Sequence, residues 1–223
     1  MRMSRAVTIL LIVWVGAAAL LGAGCRKHGA SPGESLVRLI DADSDAQEVA
    51  VSVDGKQTWK GAKFGSGTGF AGVPPGDYQV QAVSDEGYSG LDYITCRPNV
   101  AYTVLILGGG PSAPPRMRIF ADPPISSDEP NRVRLRFIDA AEGLEAADML
   151  LNNVVAFAGE PYGSRSDELQ VDAGDYDIKV NAAGRVQSLI GPIPLRCQPG
   201  RAYTIVASGP RTNVSVNVYD DSR

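Results

Sequence analysis

Apolar and polar residues alternate with a period of two along much of this chain, and such alternation is typical of half-buried β-strands. Val37 and Leu39 alternate with polar neighbours in the first half. In the second half, Val133, Leu135 and Phe137 alternate with arginines, which sets an apolar face opposite a basic one. Neither half keeps a sustained helical period. The pattern therefore predicts an all-β protein.

Short strands are predicted at regular intervals, with glycine and proline between them. Asp54-Gly55 ends one apolar alternation and Asn152-Asn153 stands at the matching later place, so both pairs predict hairpin turns. Other predicted strands run near 68–73, 77–83, 100–107 and 116–120, with counterparts near 166–171, 175–181, 201–208 and 213–219. This number and spacing predict β-sandwiches of immunoglobulin-like or transthyretin-like type.

The chain repeats itself at a shift of 98 residues, which divides it into two modules. Gly76-Asp77-Tyr78 returns as Gly174-Asp175-Tyr176 at this shift. Farther along, the shift becomes 101 residues, and Ala101-Tyr102-Thr103 returns as Ala202-Tyr203-Thr204. We predict one β-sandwich over 36–122 and a second over 132–223, joined by the proline-rich linker 123–131.

Large apolar residues recur at matched places in the two copies. Trp59 corresponds to Phe157, and Phe64 corresponds to Tyr162. We interpret all four as core residues of their own module, because matched aromatic volume is typical of a conserved packing plan within a repeat. Each module is thus expected to have its own core and to fold alone.

Four tyrosines are interpreted as structural: Tyr78, Tyr102, Tyr176 and Tyr203. Asp-x-Gly-x-Tyr at the start of a strand, ending in Tyr176, resembles the tyrosine corner of Greek-key sandwiches, in which the hydroxyl holds the preceding turn. The first copy has Pro74-Pro75 before Gly76, so its turn is stiffened by proline instead.

Cys96 and Cys197 recur at matched positions. We predict two buried free thiols, since equivalent core positions of two separate domains are too far apart for a disulfide. An inter-module disulfide is the alternative, because an exported protein meets an oxidising compartment.

The N-terminal segment is typical of an exported lipoprotein. Arg2 and Arg5 precede an apolar run, and the following Leu21-Gly22-Ala23-Gly24-Cys25 resembles a lipobox, although Gly22 replaces the usual leucine. We predict a signal peptide over 1–24, lipidation of Cys25 and a polar tether over 25–35. An uncleaved transmembrane anchor and ordinary cleavage near Ala23 remain alternatives.

The net charge and the predicted lipid anchor together indicate where the protein is located and what it binds. The formal net charge is −4, and it becomes −6 once Arg2 and Arg5 leave with the signal peptide, which argues against a nucleic-acid partner. Arg26 after the lipidated cysteine resembles the signal of lipoproteins destined for the outer membrane. We expect a membrane-anchored cell-envelope protein, with envelope proteins or polysaccharide as its partners.

These motifs carry a family resemblance. Val37-Arg38 with Ala42, the hairpin at Asp54-Gly55, Pro-Gly-x-Tyr ending at Tyr78, and Ala-Tyr-Thr before an apolar strand resemble a bacterial family known as domain of unknown function 4397. The resemblance covers about 37–122 and 133–221. It implies tandem β-sandwiches in secreted or lipid-anchored proteins. It implies no catalytic residue, since the family has no established site.

Candidate catalytic chemistry is scarce. His28 is the only histidine and lies in the tether, which excludes a histidine-dependent nucleophile or a histidine-rich metal site from a folded pocket. No glycine pattern suits a phosphate-binding loop. We therefore expect a protein that is not an enzyme and that needs no cofactor.

Acidic residues cluster after the first strand. Asp41, Asp43 and Asp45 superficially resemble a calcium loop, because calcium prefers hard oxygen ligands at such spacing. The turn glycine and distal glutamate of that loop are missing, so we expect a solvated acidic loop, with calcium as the alternative. Arg38 and Asp41, like Arg136 and Asp139, are expected to form surface ion pairs at the strand ends.

Two exposed tyrosines are the weak candidates for ligand binding. Tyr88 and Tyr93 are assigned to the loop from Asp85 to Asp92, where aromatic rings could stack on a sugar, although ordinary packing is the equal alternative. The leading hypothesis is a non-enzymatic envelope lipoprotein with tandem interaction or spacer modules. The alternative is a carbohydrate- or other ligand-binding surface lipoprotein.

Overall fold

The computed structural model describes residues 33–109, 113–122 and 131–221, and these ranges contain β-strands but no α-helix. The predicted signal peptide, Cys25, His28 and nearly all of the linker lie outside the described residues. In the described ranges, no helix has the length and apolar character needed to cross a membrane.

The first module is a sandwich of two four-stranded sheets. Its strands are β1 (Ser35–Ala42), β2 (Val49–Val53), β3 (Lys56–Ala62), β4 (Ala71–Val73), β5 (Gly76–Ser84), β6 (Ser89–Cys96), β7 (Ala101–Leu107) and β8 (Arg116–Asp122). One sheet has the order β4-β1-β7-β8, with β1 and β7 parallel, and we call it the inner sheet of this module. The outer sheet has the order β3-β2-β5-β6.

The second module repeats this plan. Its strands are β9 (Arg132–Glu142), β10 (Ala146–Leu151), β11 (Val154–Pro161), β12 (Ser164–Arg165), β13 (Leu169–Asp172), β14 (Gly174–Ala182), β15 (Ser188–Cys197), β16 (Ala202–Pro210) and β17 (Ser215–Asp220). The inner sheet has the order β12-β9-β16-β17, with β13 also paired to β9, and the outer sheet has the order β11-β10-β14-β15. The predicted tandem β-sandwich fold is thereby confirmed.

Two edge strands were not predicted from the sequence pattern. Strand β6 overlaps the expected loop, so the assignment of Tyr93 to that loop is wrong, because Tyr93 lies within this strand. Its counterpart β15 contains Pro192 and Pro194, which cannot donate ladder hydrogen bonds. Edge positions tolerate such residues, because one side of the strand has no partner in its sheet.

Each module buries an apolar core between its two sheets. The first core includes Val37 and Leu39, with Trp59 packed against its margin. The second includes Phe137 and Phe157, whose rings stack with centroids 6.2 Å apart. Each sheet contributes alternate apolar side chains to this core, and their burial holds the two sheets together as a sandwich.

A third apolar cluster lies between the modules, where the two inner sheets face each other. It unites residues of β1, β7, β9 and β16, namely Ile40, Ala42, Leu105, Leu107, Ile138, Ala140 and Val206. These side chains alternate with core residues on the same strands and therefore point out of their own sandwich. The central strands of both inner sheets are consequently buried on both faces.

Phe64 and Tyr162 belong to this junction, which makes their interpretation as core residues of their own module wrong. Tyr162 packs against the third cluster, and Phe64 remains 38% exposed. A Cβ atom at Gly209 of the second module would lie 3.2 Å from the Phe64 ring. Each aromatic residue stands on a turn that reaches toward the other module, so the repeat conserves a contact between copies.

Candidate functional site

The junction between the inner sheets contains the largest group of buried charges in the described residues, and the two modules supply the same residue types to it. Arg38 and Asp122 come from the first module, and Arg136 and Asp221 come from the second. All four side chains are at most 3% exposed. The arginines stand at repeat-equivalent places on β1 and β9, and the aspartates stand at or just beyond the ends of β8 and β17.

Each arginine forms an ion pair with an aspartate of the other module. Arg38 Nη1 lies 2.6 Å from Asp221 Oδ1, and Arg136 Nη1 lies 3.2 Å from Asp122 Oδ1. Arg136 Nη1 also lies 3.6 Å from Asp221 Oδ2. Each module therefore gives an arginine to the other module's aspartate, an exchange related by an approximate two-fold axis.

Two buried threonines complete this arrangement. Arg38 donates from Nε to Thr103 Oγ1 at 2.9 Å and from Nη2 to Thr204 Oγ1 at 3.1 Å. The Thr103 hydroxyl donates to Asp122 Oδ2 at 2.8 Å, and the Thr204 hydroxyl donates to Asp221 Oδ2 at 2.7 Å. We call these six residues, Arg38, Thr103, Asp122, Arg136, Thr204 and Asp221, the exchange network.

Further charges of the second module border the exchange network. Arg165 Nη1 donates to Asp122 Oδ1 at 2.5 Å, and Arg136 Nη2 donates to Glu168 Oε2 at 3.1 Å. Burial lowers the pKa of Arg165, an effect that the Asp122 carboxylate opposes. Burial raises the pKa of Asp221, and Arg38 opposes that change. Mutual pairing therefore offsets part of the cost of removing these charges from water.

Aromatic rings lie against two of these guanidinium groups. The Arg38 guanidinium lies 4.8 Å from the Phe70 ring centre, and that of Arg165 lies 5.0 Å from the Phe120 ring centre. Guanidinium groups bind carboxylates edge-on while their planes rest on aromatic faces, so arginine suits this buried junction better than lysine.

A glycine gives one ring the space to cross the junction. The Tyr219 hydroxyl of the second module donates to the Gly65 carbonyl of the first at 3.0 Å. A Cβ atom at Gly67 would lie 2.5 Å from the Tyr219 ring, closer than real Cβ atoms come to a neighbour. Gly67 therefore permits the close approach of the two modules at this point.

The expected surface pairs between Arg38 and Asp41 and between Arg136 and Asp139 are wrong. Both arginines join the exchange network, while Asp41 and Asp139 are buried and cap turns of their own modules. Asp41 Oδ1 accepts the Asp43 N–H at 2.9 Å, and Asp139 Oδ1 accepts the Ala141 N–H at 2.9 Å. Burial is the main cause that raises the pKa of each of these two carboxyls to about 7.

An acidic cluster lies at one end of the junction. Carboxylate oxygens of Asp43, Asp45 and Glu142 all lie within 4.8 Å of one another, so the cluster combines both modules. Asp43 is only 2% exposed, which contradicts a solvated loop at that position, whereas Asp45 is exposed. Such oxygens could hold a hard cation. Among the described residues, nothing besides these carboxylates points to an ion, and we assign no metal.

The two candidate ligand-binding tyrosines do not share a surface. Tyr88 is half-buried beside Asp43 and Asp45, and its N–H donates to Ser84 Oγ at 3.2 Å. Tyr93 is 67% exposed on the outer sheet of the first module, where Gln79 Nε2 donates to its hydroxyl at 3.3 Å. The pair therefore does not form one stacking platform.

The four structural tyrosines all tie local turns. The Tyr78 hydroxyl donates to the Pro74 carbonyl at 2.8 Å, and the Tyr176 hydroxyl donates to the Asp172 carbonyl at 2.9 Å, as a tyrosine corner requires. The hydroxyls of Tyr102 and Tyr203 accept backbone N–H groups five residues earlier in the chain, at 3.0 and 3.3 Å.

Comparisons with known proteins place the chain in a family but not in a pathway. No curated protein matches it. The N-terminal domain of AlgF from P. aeruginosa is 24% identical, with a TM-score of 0.31 over 43% of this chain and 100% of that domain. A proposed cell adhesion protein from Bacteroides ovatus is 8% identical, with a TM-score of 0.22 over 86% of this chain and 97% of that one. Both TM-scores are too low to carry an argument.

The model of the family described as Domain of unknown function (DUF4397) matches residues 35–146 and again residues 134–223, so this chain belongs to that family, in two tandem copies.

Proposed function

We propose that the protein is a non-enzymatic, lipid-anchored component of the cell envelope whose two modules act as one stiff interaction or spacer unit. The observation that carries this proposal is the exchange network, in which Arg38 of the first module pairs with Asp221 of the second. Directional ion pairs fix the relative orientation of two surfaces more narrowly than apolar contact alone.

The junction also favours a structural role over a catalytic one for its charged residues. Arg38, Arg136, Asp122 and Asp221 bond to one another and to two threonines, deep between the sheets. A catalytic group needs access to a substrate, whereas a structural junction needs full mutual pairing of its buried charges. A unit held in this way keeps a constant length across its two modules.

A second candidate function is binding of envelope polysaccharide through the outer sheet of the first module. Leu91 and Tyr93 are 52% and 67% exposed on the same face of β6, beside Gln79. Flat apolar and aromatic surfaces bordered by amides suit the faces of sugar rings. Polysaccharide retention that Tyr93→Ala abolishes, with an unchanged melting temperature, would support this alternative.

The membrane anchor is tested by metabolic labelling with palmitate in the native host. We expect label in the wild-type protein, no label in Cys25→Ala, and release of that variant from the membrane fraction. Ser31→Ala, a change in the tether that leaves the lipobox intact, is the matched control and should label normally. Equal labelling of wild type and Cys25→Ala would contradict the anchor and, with it, the envelope part of the proposal.

A further inference from the structure

Asp139 differs from Asp122 and Asp221, the two buried aspartates that pair with arginine. It is 0% exposed, and its Oδ1 accepts the Ala141 N–H at 2.9 Å, but its Oδ2 has no hydrogen-bond partner. Asp122 and Asp221 are buried to a similar degree, yet each has an arginine partner within 3.2 Å. An ionised carboxylate without a nearby cation is costly in such surroundings, whereas a protonated one is much less so.

The groups that face Asp139 make ionisation of its buried carboxyl group still less favourable. Glu160 on β11 raises the energy of a negative charge at Asp139. The Ser164 hydroxyl donates to the Glu160 carboxylate, and Ser164 pairs with Asp139 in the ladder between β12 and β9. Tyr162 is a further titratable neighbour, and Arg116 and Glu142 lie beyond it. Arg118 also lies against this turn, with its Nε 3.7 Å from the place of a Cβ atom at Gly163. Arg116 interacts with Tyr162 rather than with Asp139, so its charge does not compensate the buried carboxylate directly.

Asp139 also holds a turn that reaches the first module. Its carbonyl accepts the Gly163 N–H at 2.6 Å, and Asp139 pairs with Ser164 in the ladder between β9 and β12. The same turn carries Tyr162, whose ring lies 5.6 Å from the Arg116 guanidinium of the first module. A Cβ atom at Gly163 would lie 3.2 Å from Leu107, so the turn fits closely against the first module.

We propose that Asp139 is a proton-binding site that regulates this contact: the turn over 161–166 is held against the first module when Asp139 is protonated and loosens when Asp139 ionises. The device deepens the proposed role as a stiff two-module unit, because it gives one end of the junction a dependence on pH. Each arginine and aspartate of the exchange network has an oppositely charged partner, and the network is not part of this device.

The direction of the effect follows from proton linkage. Burial, opposed by the Ala141 N–H and reinforced by Glu160, raises the pKa of Asp139 to about 7 from its ordinary value of 3.8. The folded state therefore binds a proton that the opened state releases between about pH 4 and pH 7. The stabilisation is fully present below pH 4 and is lost as pH rises through 7.

Hydrogen exchange in the full chain tests the proposal. Protection of the peptide over 159–166 is measured at pH 5.5 and pH 8, after correction for the intrinsic exchange rates. In the wild type we expect the opening constant of the turn to rise about thirtyfold between these values. In Asp139→Asn, which keeps the cap and removes the charge, it should change less than about twofold. Asp167→Asn, an exposed aspartate near the same turn, should behave like the wild type.

A carboxyl titration followed by 13C NMR on the wild-type chain keeps the proposal testable even if Asp139→Asn does not fold. The Asp139 signal, assigned through its backbone, should titrate near neutral pH. Titration of this signal below pH 5, or the same pH dependence of protection in Asp139→Asn as in the wild type, would overturn the proposal. Neither result would bear on the lipid anchor or on the exchange network, so the two proposals fail separately.

Discussion

The guanidinium of Arg38 and the carboxylate of Asp221 lie 2.6 Å apart, although the two residues belong to different copies of one repeat. The repeat-equivalent pair, Arg136 and Asp122, makes the reciprocal contact at 3.2 Å. Duplication has therefore preserved a self-complementary surface within one chain, in the way that an isologous dimer presents the same patch on both subunits. This relationship makes the junction, rather than either sandwich, the distinctive feature of the molecule.

Removal of one partner should destabilise the folded chain strongly. We expect Arg38→Met to lower the free energy of unfolding by about 3–5 kcal/mol, because Asp221 is then left buried with less compensation. The double variant Arg38→Met/Asp221→Leu should cost less than the sum of the single changes. Urea denaturation of the four proteins in a double-mutant cycle measures this coupling.

The neighbouring pair Arg201–Asp220 supplies the control for that cycle. Its side chains are 44% and 49% exposed at a separation of 3.1 Å. Removal of this surface pair should change stability by less than about 1 kcal/mol. Equal effects of the buried and exposed pairs would mean that the Arg38 contact is solvated.

The tyrosine corner predicts a cost for a single hydroxyl. Tyr176→Phe should lower stability by roughly 1–3 kcal/mol, since the Asp172 carbonyl loses the hydrogen bond that fixes its turn. Tyr93→Phe, at an exposed position, should stay within about 0.5 kcal/mol of the wild type. Thermal unfolding of both variants provides the measurement. If Tyr176→Phe leaves stability unchanged, the resemblance to a tyrosine corner is accidental.

The cysteines should be inert in the native state. Cys96 and Cys197 are free, and each is 3% exposed in the core of its own module. Burial raises the pKa of both thiols, that of Cys197 to about 11, so little reactive thiolate forms at neutral pH. For a chain that begins after Cys25, thiol titration should detect none before denaturation and two after it. No thiols in denaturant without reductant would instead demonstrate a disulfide.

Much of the fold was predictable, because alternation at Val133, Leu135 and Phe137 marks one buried face directly. The opposite face carries Arg134 and Arg136, and basic residues on a strand ordinarily indicate solvent. Here they are 7% and 2% exposed. Pairing with a distant part of the chain decides their burial, and no local pattern contains that information.

One signal for the junction was nevertheless present in the sequence. Strands β7 and β16 read as nearly continuous apolar runs rather than as alternating ones, and such runs are typical of strands that are covered on both faces. The recurrence of Phe64 as Tyr162 was a second signal, since matched aromatic residues on turns can indicate contact between copies. The position of Glu142 beside Asp43 depends on how the modules meet and could not be predicted.

Isolated modules should fold but lose stability. The fragments 34–122 and 131–223 each keep a complete two-sheet core, whereas each exposes its half of the third cluster, including Ile40 or Ile138. We expect β-type circular dichroism from both fragments, with melting temperatures below that of the full chain. Fragments as stable as the full chain would show that the junction contributes nothing to folding.

The claim that the modules form one stiff unit is tested most directly by a distance between them. Lys56 and Val154 are exposed, repeat-equivalent positions, one in each module, and cysteines placed there can carry spin labels in a chain that begins after Cys25. The buried native thiols should stay unlabelled. Pulsed electron paramagnetic resonance should give one narrow distance distribution, which Arg38→Met/Arg136→Met broadens. A broad distribution in the otherwise wild-type chain would contradict the account, because it would mean that the two sandwiches move independently about their linker.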